Sequence, residues 1–345
     1  MTSAKHKLSM YGSVAAIVSV VTFALYLLLN YFTSLPMLAV FVIIIPLFLL
    51  QWRFAPKIIE KAYKVEPASE EKHSELHKVV EVISERSGIE KPQLMIAKTE
   101  LPNAFAYGNR WSGKKIAVTQ GLLENLEFEE VEAVVGHELG HHKHGDAKIM
   151  MFLSILPAIF MMIGRIFLFS MFFGGGNRRG VAPMMALGAG SMLVYFALNL
   201  CIMNFSRMRE FMADDHAAEN VPDGARKLSE GLAKINHYTS EIKNGGKKQS
   251  EKVKITRPAD NKEVHVRGSS REQNNKGMSS FGMSLKPLFI EDPDTSKDLS
   301  TDQLSDQELV EKYSKEELST GEKIMELFSS HPRVAKRLRV LQEKQ

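Results

Sequence analysis

The chain has 345 residues, with 44 Lys and Arg against 40 Asp and Glu, and a mean hydropathy of −0.13. These averages are typical of a soluble protein, but the charges are unevenly distributed. The stretch from Leu8 to Trp52 has no charged residue, and Ile149–Ser206 has only three arginines. Apolar stretches of this length exceed what a buried core helix needs, which argues against a wholly soluble fold. Basic residues are not clustered with aromatic ones, which argues against nucleic-acid binding.

Four membrane spans are predicted, because a helix needs about 20 residues to cross the hydrocarbon core. They run over Tyr11–Phe32, Met37–Gln51, about Met150–Phe173 and about Val181–Phe205, and short connections pair them into two hairpins. A cleaved signal peptide is the alternative for the first span, although its apolar part is long and no A-x-A-like site follows. Most Lys and Arg residues near the span ends lie on one side, which predicts that the polar segments are cytoplasmic.

The predicted fold is an α+β integral membrane protein, mainly helical, with a small sheet in its cytoplasmic domain. We divide the chain into a first hairpin (1–52), a first part of the cytoplasmic domain (53–148), a second hairpin (149–205) and a second part of that domain (206–345). The polar composition of about 240–307 predicts a flexible insertion. Hydrophobic patterns in the polar segments predict helices at Glu70–Ser87, from about Glu129, at Asp306–Tyr313 and at Gly321–Phe328, and strands at Gln93–Ala97, Ala104–Tyr107 and Ile116–Thr119.

The stretch G-H-E-L-G-H-H, from Gly136 to His142, contains an H-E-x-x-H motif. On a helix, His137 and His141 share a face and can reach one Zn²⁺, while Glu138 lies beside that face as a general base. The apolar residues before the motif argue against a chance occurrence. His142 and His144 have a different helical phase, which makes them weaker candidates as ligands.

A catalytic zinc site needs a third protein ligand and an open position. Glu210 and Asp214 lie one helical turn apart after the fourth span, so we expect Glu210 to bind the metal and Asp214 to orient a ligand histidine. A solvated acidic face is the alternative for both. Because a short loop joins the third and fourth spans, both ligand helices should meet near one membrane surface. His331 is a candidate oxyanion donor, with a structural role as the alternative, and an extended substrate is expected to pair with a sheet edge.

The chain resembles the HtpX family of membrane zinc metalloproteases, gluzincins that are relatives of the zinc-type CAAX prenyl protease. The similarity covers nearly the whole chain and rests on N-A-F-A from Asn103, G-H-E-L-G-H-H-K-H-G-D from Gly136, S-R-M-R-E-F-M-A-D from Ser206 and H-P-x-x-x-x-R from His331. The resemblance implies one Zn²⁺ per subunit, with His137, His141 and Glu210 as ligands and Glu138 as the catalytic base.

The resemblance also suggests that Asn103 and Ala104 lie on the substrate-binding edge strand and that His331 helps stabilise the tetrahedral intermediate. It implies a protease of the plasma or inner membrane that cleaves damaged or misfolded membrane proteins on the cytoplasmic side, often under stress. The expected partners are therefore unfolded or membrane proteins and the lipid bilayer, with no nucleic acid.

Three other functions remain open from the sequence. A CAAX-type protease of lipidated proteins is one, although four spans are few for a closed intramembrane chamber. A catalytically inactive membrane scaffold is another, although Glu138 and the full ligand set argue for an active enzyme. A metal transporter is the most distant, because the spans contain no histidine or acidic residue.

Overall fold

The computed structural model describes residues 37–173, 178–249, 304–317 and 319–345. Within these ranges the fold is mainly helical, with one small mixed sheet. The helices are α1 (Met37–Tyr63), α2 (Ser74–Ser87), α3 (Gln120–Asn125), α4 (Phe128–His144), α5 (Asp146–Phe173), α6 (Arg178–Asn220), α7 (Gly224–Gln249), α8 (Asp306–Ser314), α9 (Thr320–Glu326) and α10 (Val334–Gln342). The strands are β1 (Val65–Pro67), β2 (Gln93–Ala97), β3 (Ala104–Asn109) and β4 (Gly113–Thr119).

The four strands form a sheet in the order β1-β2-β4-β3. β2 and β4 are parallel, and the β1–β2 and β3–β4 pairs are antiparallel. β3 lies at one edge and pairs with β4, with Ala104 opposite Val118. The main core packs one side of the sheet against helices from both halves of the chain, through buried residues that include Val80, Leu94, Leu139, Leu232 and Leu338.

The packing of α4 on α6 requires glycine at two positions of the H-E-x-x-H helix. A Cβ at Gly136 would lie 2.7 Å from Val221 Cγ2, and a Cβ at Gly140 would lie 3.0 Å from Ala213 Cα. Contacts this short do not fit a side chain, so the glycines allow the two helices to approach closely. This approach brings the acidic residues of α6 to the histidine face of α4.

α4 ends at Gly145, whose φ of 70° is left-handed and is readily adopted by glycine. α5 begins directly afterwards at Asp146. Two helices of the described chain are long and apolar enough to cross a membrane, over Asp146–Arg165 of α5 and Ala182–Asn220 of α6. They pack against each other, with Phe160, Leu198 and Ile202 buried between them.

The sequence-based elements match the structure closely in the polar domain and less well at the spans. β2 has its predicted bounds, while β3, β4 and most helices differ by a few residues at their ends. The predicted first span, Tyr11–Phe32, lies outside the described residues. The second span is only the N-terminal part of α1, and the fourth continues without a break through Asn220.

Several features of the polar domain differ from the sequence-based prediction, which includes no helix at α3, α7 or α10. The predicted flexible insertion begins too early, because residues 240–249 belong to α7, while residues 250–303 lie outside the described ranges. The short strand β1 was not predicted, because three residues are too few to show alternation of polar and apolar side chains.

Candidate metal centre and active site

α4 carries the two histidines of the motif on one buried face. The helix begins with a capping box between Glu127 and Glu130, which fixes its N-terminus. One turn separates His137 from His141, and their ring centroids are 4.8 Å apart. Ligand-type atoms of His137, Glu138 and His141 all lie within 4.8 Å of one another. This helix therefore concentrates three groups that can bind a cation or move a proton.

Glu210 on α6 faces both imidazoles. Its Oε2 lies 3.6 Å from His137 Nε2, and its Oε1 lies 3.6 Å from His141 Nε2. These separations are too long for good hydrogen bonds. They are close to the spacing of about 3.4 Å expected between two ligand atoms that bind one tetrahedral zinc at 2.0–2.1 Å.

Two buried atoms at the centre of this group have no hydrogen-bond partner, namely His137 Nε2 and Glu210 Oε2. Buried polar atoms are rarely left unsatisfied, so each orphan needs an explanation. Two imidazole nitrogens and a carboxylate are also a usual donor set for catalytic zinc. The residues present therefore fit a bound Zn²⁺.

Asp214 and Arg337 position the His137 ring from the side of its Nδ1 atom. Its Nδ1 lies 2.9 Å from Asp214 Oδ1, and Arg337 on α10 donates from Nη2 and Nε to the two oxygens of the same carboxylate. All three side chains are buried. Burial alone would lower the pKa of His137, but the neighbouring carboxylates of Asp214 and Glu210 outweigh it and raise that pKa to about 9. The surroundings of this ring therefore favour a positive charge.

His141 is held in the same way by Asp146, the first residue of α5. The two atoms, His141 Nδ1 and Asp146 Oδ2, are 2.6 Å apart. Arg209 Nε lies 3.2 Å from that same carboxylate oxygen. With a carboxylate at Nδ1, each imidazole directs its Nε2 toward Glu210, an orientation typical of histidines that bind a metal.

Glu138 is buried beside the histidine pair, and its Oε2 accepts a 2.7 Å hydrogen bond from the backbone N–H of Ala106 on β3. Burial raises the pKa of Glu138, while the two neighbouring imidazoles and this N–H partly oppose the shift. A carboxylate with a raised pKa can accept a proton and release it again near neutral pH. The same hydrogen bond places the edge strand directly against this group.

His331 reaches the same centre from the segment between α9 and α10. Its Nδ1 lies 3.2 Å from Glu210 Oε2, and the side chain is 5% exposed. Neither ring nitrogen has a hydrogen-bond partner among the described residues. The structure thus brings together five of the sequence-predicted residues around one point: His137, Glu138, His141, Glu210 and His331, with Asp214 behind His137.

The remaining candidates occupy the edge of the sheet or point elsewhere. Asn103 precedes β3 and is buried, and its backbone N–H donates to Thr119 Oγ1. Ala104 is the first residue of β3, two positions before Ala106. The Nε2 of His142 is bonded to the carbonyl of Lys115, and burial lowers the pKa of His142 to about 4.

Comparisons with known proteins show the family of this chain. The model of peptidase family M48 matches residues 70–345. The chain belongs to peptidase family M48. It is therefore a metalloprotease, and zinc is the metal on which M48 enzymes generally depend.

Similar proteins include two that are each described as "Protease HtpX homolog". The one from Thermoplasma volcanium is 34% identical over 232 residues, which cover 67% of this chain and 74% of the relative. The one from Aeropyrum pernix is 35% identical over 298 residues, which cover 85% and 82%. The crystal structure of S. mikatae Ste24p is similar over 70% of this chain and 60% of its own, with a TM-score of 0.46 and 20% identity.

Sequence reasoning missed several groups at this M48 site. Asp146 lies in the quoted G-H-E-L-G-H-H-K-H-G-D stretch, and Arg337 ends the H-P-x-x-x-x-R stretch, but neither had been given a role. Asp146 follows the helix-ending Gly145, so the helical phase of α4 does not predict its direction. The Ala106 N–H is a backbone group, and no sequence signal reveals it.

Proposed function

We propose that this M48 metalloprotease is a membrane-embedded zinc endopeptidase that cleaves unfolded or damaged membrane proteins at the cytoplasmic surface. The proposal includes four spans, with the catalytic domain on the cytoplasmic side. A role in membrane protein quality control follows from this placement, because membrane substrates would meet the site where they leave the bilayer.

The observation that carries the proposal is the direct connection between the site and two apolar helices. α6 has 43 residues and is therefore about 65 Å long, twice the thickness of a hydrocarbon core of about 30 Å. Its N-terminal part can cross the bilayer while Glu210 and Asp214 project beyond it. α4 similarly leads through Gly145 into α5. The site would then stand at the membrane surface.

In this proposal His137, His141 and Glu210 hold the Zn²⁺. When bound, zinc lowers the pKa of a water molecule to near 7 and polarises the carbonyl of the scissile peptide bond. Asp214 and Asp146 keep the two imidazoles in the orientation that presents Nε2 to the centre.

Glu138 acts as the general base and then as the general acid. Its carboxylate takes a proton from the attacking water and delivers it to the leaving amine, which its raised pKa favours. His331, whose Nδ1 lies 3.2 Å from Glu210 Oε2, is placed to donate a hydrogen bond to the oxyanion. The Ala106 N–H orients Glu138 for both transfers.

The substrate chain would bind in extended form along β3. This strand is at the edge of the sheet, and the Ala106 N–H on it already contacts Glu138. Backbone pairing at an edge gives affinity that depends little on side chains, which suits a protease of many unfolded substrates. Asn103 and Ala104 would lie beside the substrate at the start of this strand.

The test compares purified wild-type protein with Glu138→Gln, with and without added zinc. Gln keeps the shape of Glu138 and can still accept the Ala106 N–H, but it cannot act as a base. We expect zinc-dependent cleavage of casein and of an unfolded membrane protein by wild type and none by the variant. Glu81→Gln, on an exposed part of α2, is the matched control and should cleave normally. Cleavage by Glu138→Gln at the wild-type rate contradicts the mechanism, and cleavage of a prenylated C-terminal peptide alone contradicts the proposed substrate class.

A further inference from the structure

Three exposed apolar side chains lie at the end of α9, immediately before the segment that carries His331. Met325 is 65% exposed, Leu327 is 50% exposed and Phe328 is 48% exposed. We call these three residues the apolar ridge. Large apolar side chains grouped in this way on a surface usually mark a contact with a membrane or a partner.

The ridge lies against the apolar segment of α6 that is long enough to cross a membrane. The rings of Phe328 and Phe196 are 5.8 Å apart, and Phe196 and Leu193 on α6 are themselves exposed. Phe196 comes 11 residues before Arg207, the first charged residue after the apolar stretch, which is about 16 Å along the helix. The ridge therefore continues an apolar surface that the proposed function places in lipid.

Several polar groups in and beside the ridge are hydrogen-bonded or paired from inside the protein. Arg207 Nη1 donates to the carbonyl oxygens of Glu326 at 2.8 Å and Ser329 at 2.7 Å, and lies 3.4 Å from that of Leu327. The N–H of Phe328 donates to the Met325 carbonyl. The buried Glu326 carboxylate is paired with Lys336. Such internal pairing is what a segment facing hydrocarbon requires, because lipid offers no hydrogen bonds.

We propose that the apolar ridge inserts into the lipid bilayer beside α6 and anchors the His331 segment to the membrane surface. The occupant of this surface is lipid, because the ridge has apolar side chains on its outer side, while the buried Arg207 contacts the carbonyl groups of Glu326, Leu327 and Ser329 from the inner side. The segment continues through Ser329, whose Oγ donates to the His331 carbonyl, to the candidate oxyanion donor. The inference rests on the proposed membrane embedding.

The test uses single cysteines in the full chain, with Cys201→Ala as the background. Leu327→Cys and Phe328→Cys are each labelled with an NBD fluorophore and reconstituted into phosphatidylcholine vesicles that contain lipids spin-labelled on the acyl chain. Leu193→Cys, 71% exposed on α6, is the membrane reference, and Val82→Cys, 43% exposed on α2, is the aqueous control. At positions 327 and 328 we expect blue-shifted NBD emission. We also expect the spin-labelled lipid to quench this emission about as strongly as it quenches the label at position 193. Neither effect should occur at position 82.

Other outcomes overturn the inference in distinguishable ways. Quenching at 193 with water-like emission at 327 and 328 means that the ridge faces solvent. Quenching at 193 with blue-shifted but unquenched emission at 327 and 328 means that protein, not lipid, covers the ridge. Loss of quenching at 193 itself contradicts the membrane embedding on which the proposed function depends. Retained zinc-dependent cleavage in every labelled protein shows that the variants are folded.

Discussion

The two imidazoles of the centre are supported by the same kind of arrangement at two different depths. The inner half consists of His137, Asp214 and Arg337, and the outer half consists of His141, Asp146 and Arg209. In each half a carboxylate contacts the imidazole Nδ1 and an arginine contacts the carboxylate. The His137 side chain is 0% exposed, whereas that of His141 is 15% exposed.

This difference in depth determines what each half contributes. A fully buried imidazole that loses its partner keeps its full desolvation cost, whereas the partly exposed ring of His141 recovers some hydration. The inner half should therefore matter for both folding and metal binding. The outer half should matter mainly for the orientation of its imidazole.

The largest expected effect is that of Arg337→Met on stability. The change leaves the buried Asp214 carboxylate with only the His137 imidazole as its partner, which should cost up to about 3–5 kcal/mol. Thermal unfolding of the metal-free protein in detergent measures this loss. The double variant Asp214→Asn with Arg337→Met removes both charges and should regain part of it. An unchanged melting temperature for Arg337→Met would show that the inner half does not depend on this pair.

Asp214→Asn should give the next largest effect, on metal affinity. The neutral amide orients His137 less well and leaves it a weaker base, so zinc should bind about 10- to 100-fold more weakly. Competition with a zinc chelator measures this affinity. A change smaller than that of Asp146→Asn would reverse the order that burial predicts.

Asp146→Asn should have a smaller effect of the same kind. His141 is partly exposed, so water can replace some of the lost interaction, and we expect a loss of affinity near about tenfold. The melting temperature of the metal-free protein should change little. Strong destabilisation by this substitution would mean that the outer half is also a folding element.

Arg209→Gln should have the smallest effect of the four. The arginine contacts Asp146 but not an imidazole, and Asp146 remains charged without it. The loss of zinc affinity should stay below about tenfold, the lower limit for residues that orient ligands directly. A loss equal to that of Asp146→Asn would place Arg209 on the same level as the carboxylate.

The residues on α4 and α6 could be predicted from the sequence, whereas those that support the imidazoles from other helices could not. His137, Glu138 and His141 follow from helical periodicity, and Glu210 and Asp214 follow from the same periodicity after an apolar stretch. Asp146 is close in sequence but lies on a new helix after Gly145, where that periodicity ends. Arg337 is 200 residues from His137, so only the packing of α10 brings it near.

The fold was predictable to a similar degree. Strands β2–β4 showed clear apolar patterns, and α4 had both a motif and an apolar face. The expected helix after the fourth span, which carries Glu210, is continuous with that span in α6, although the composition changes from apolar to polar there. The role of Gly136 and Gly140 could not be predicted from the sequence, because it depends on the close approach of α4 and α6 in the folded protein.

The zinc content of Glu138→Gln compared with that of Glu210→Gln separates the roles of the two acidic residues. Both carboxylates are buried near the histidine pair, and we assign Glu210 as a ligand and Glu138 as a base. After purification and exposure to limiting zinc, Glu138→Gln should carry the wild-type amount of zinc without cleaving casein, whereas Glu210→Gln should lose most of its zinc. Wild-type zinc content in Glu210→Gln, or loss of zinc from Glu138→Gln, would contradict this assignment.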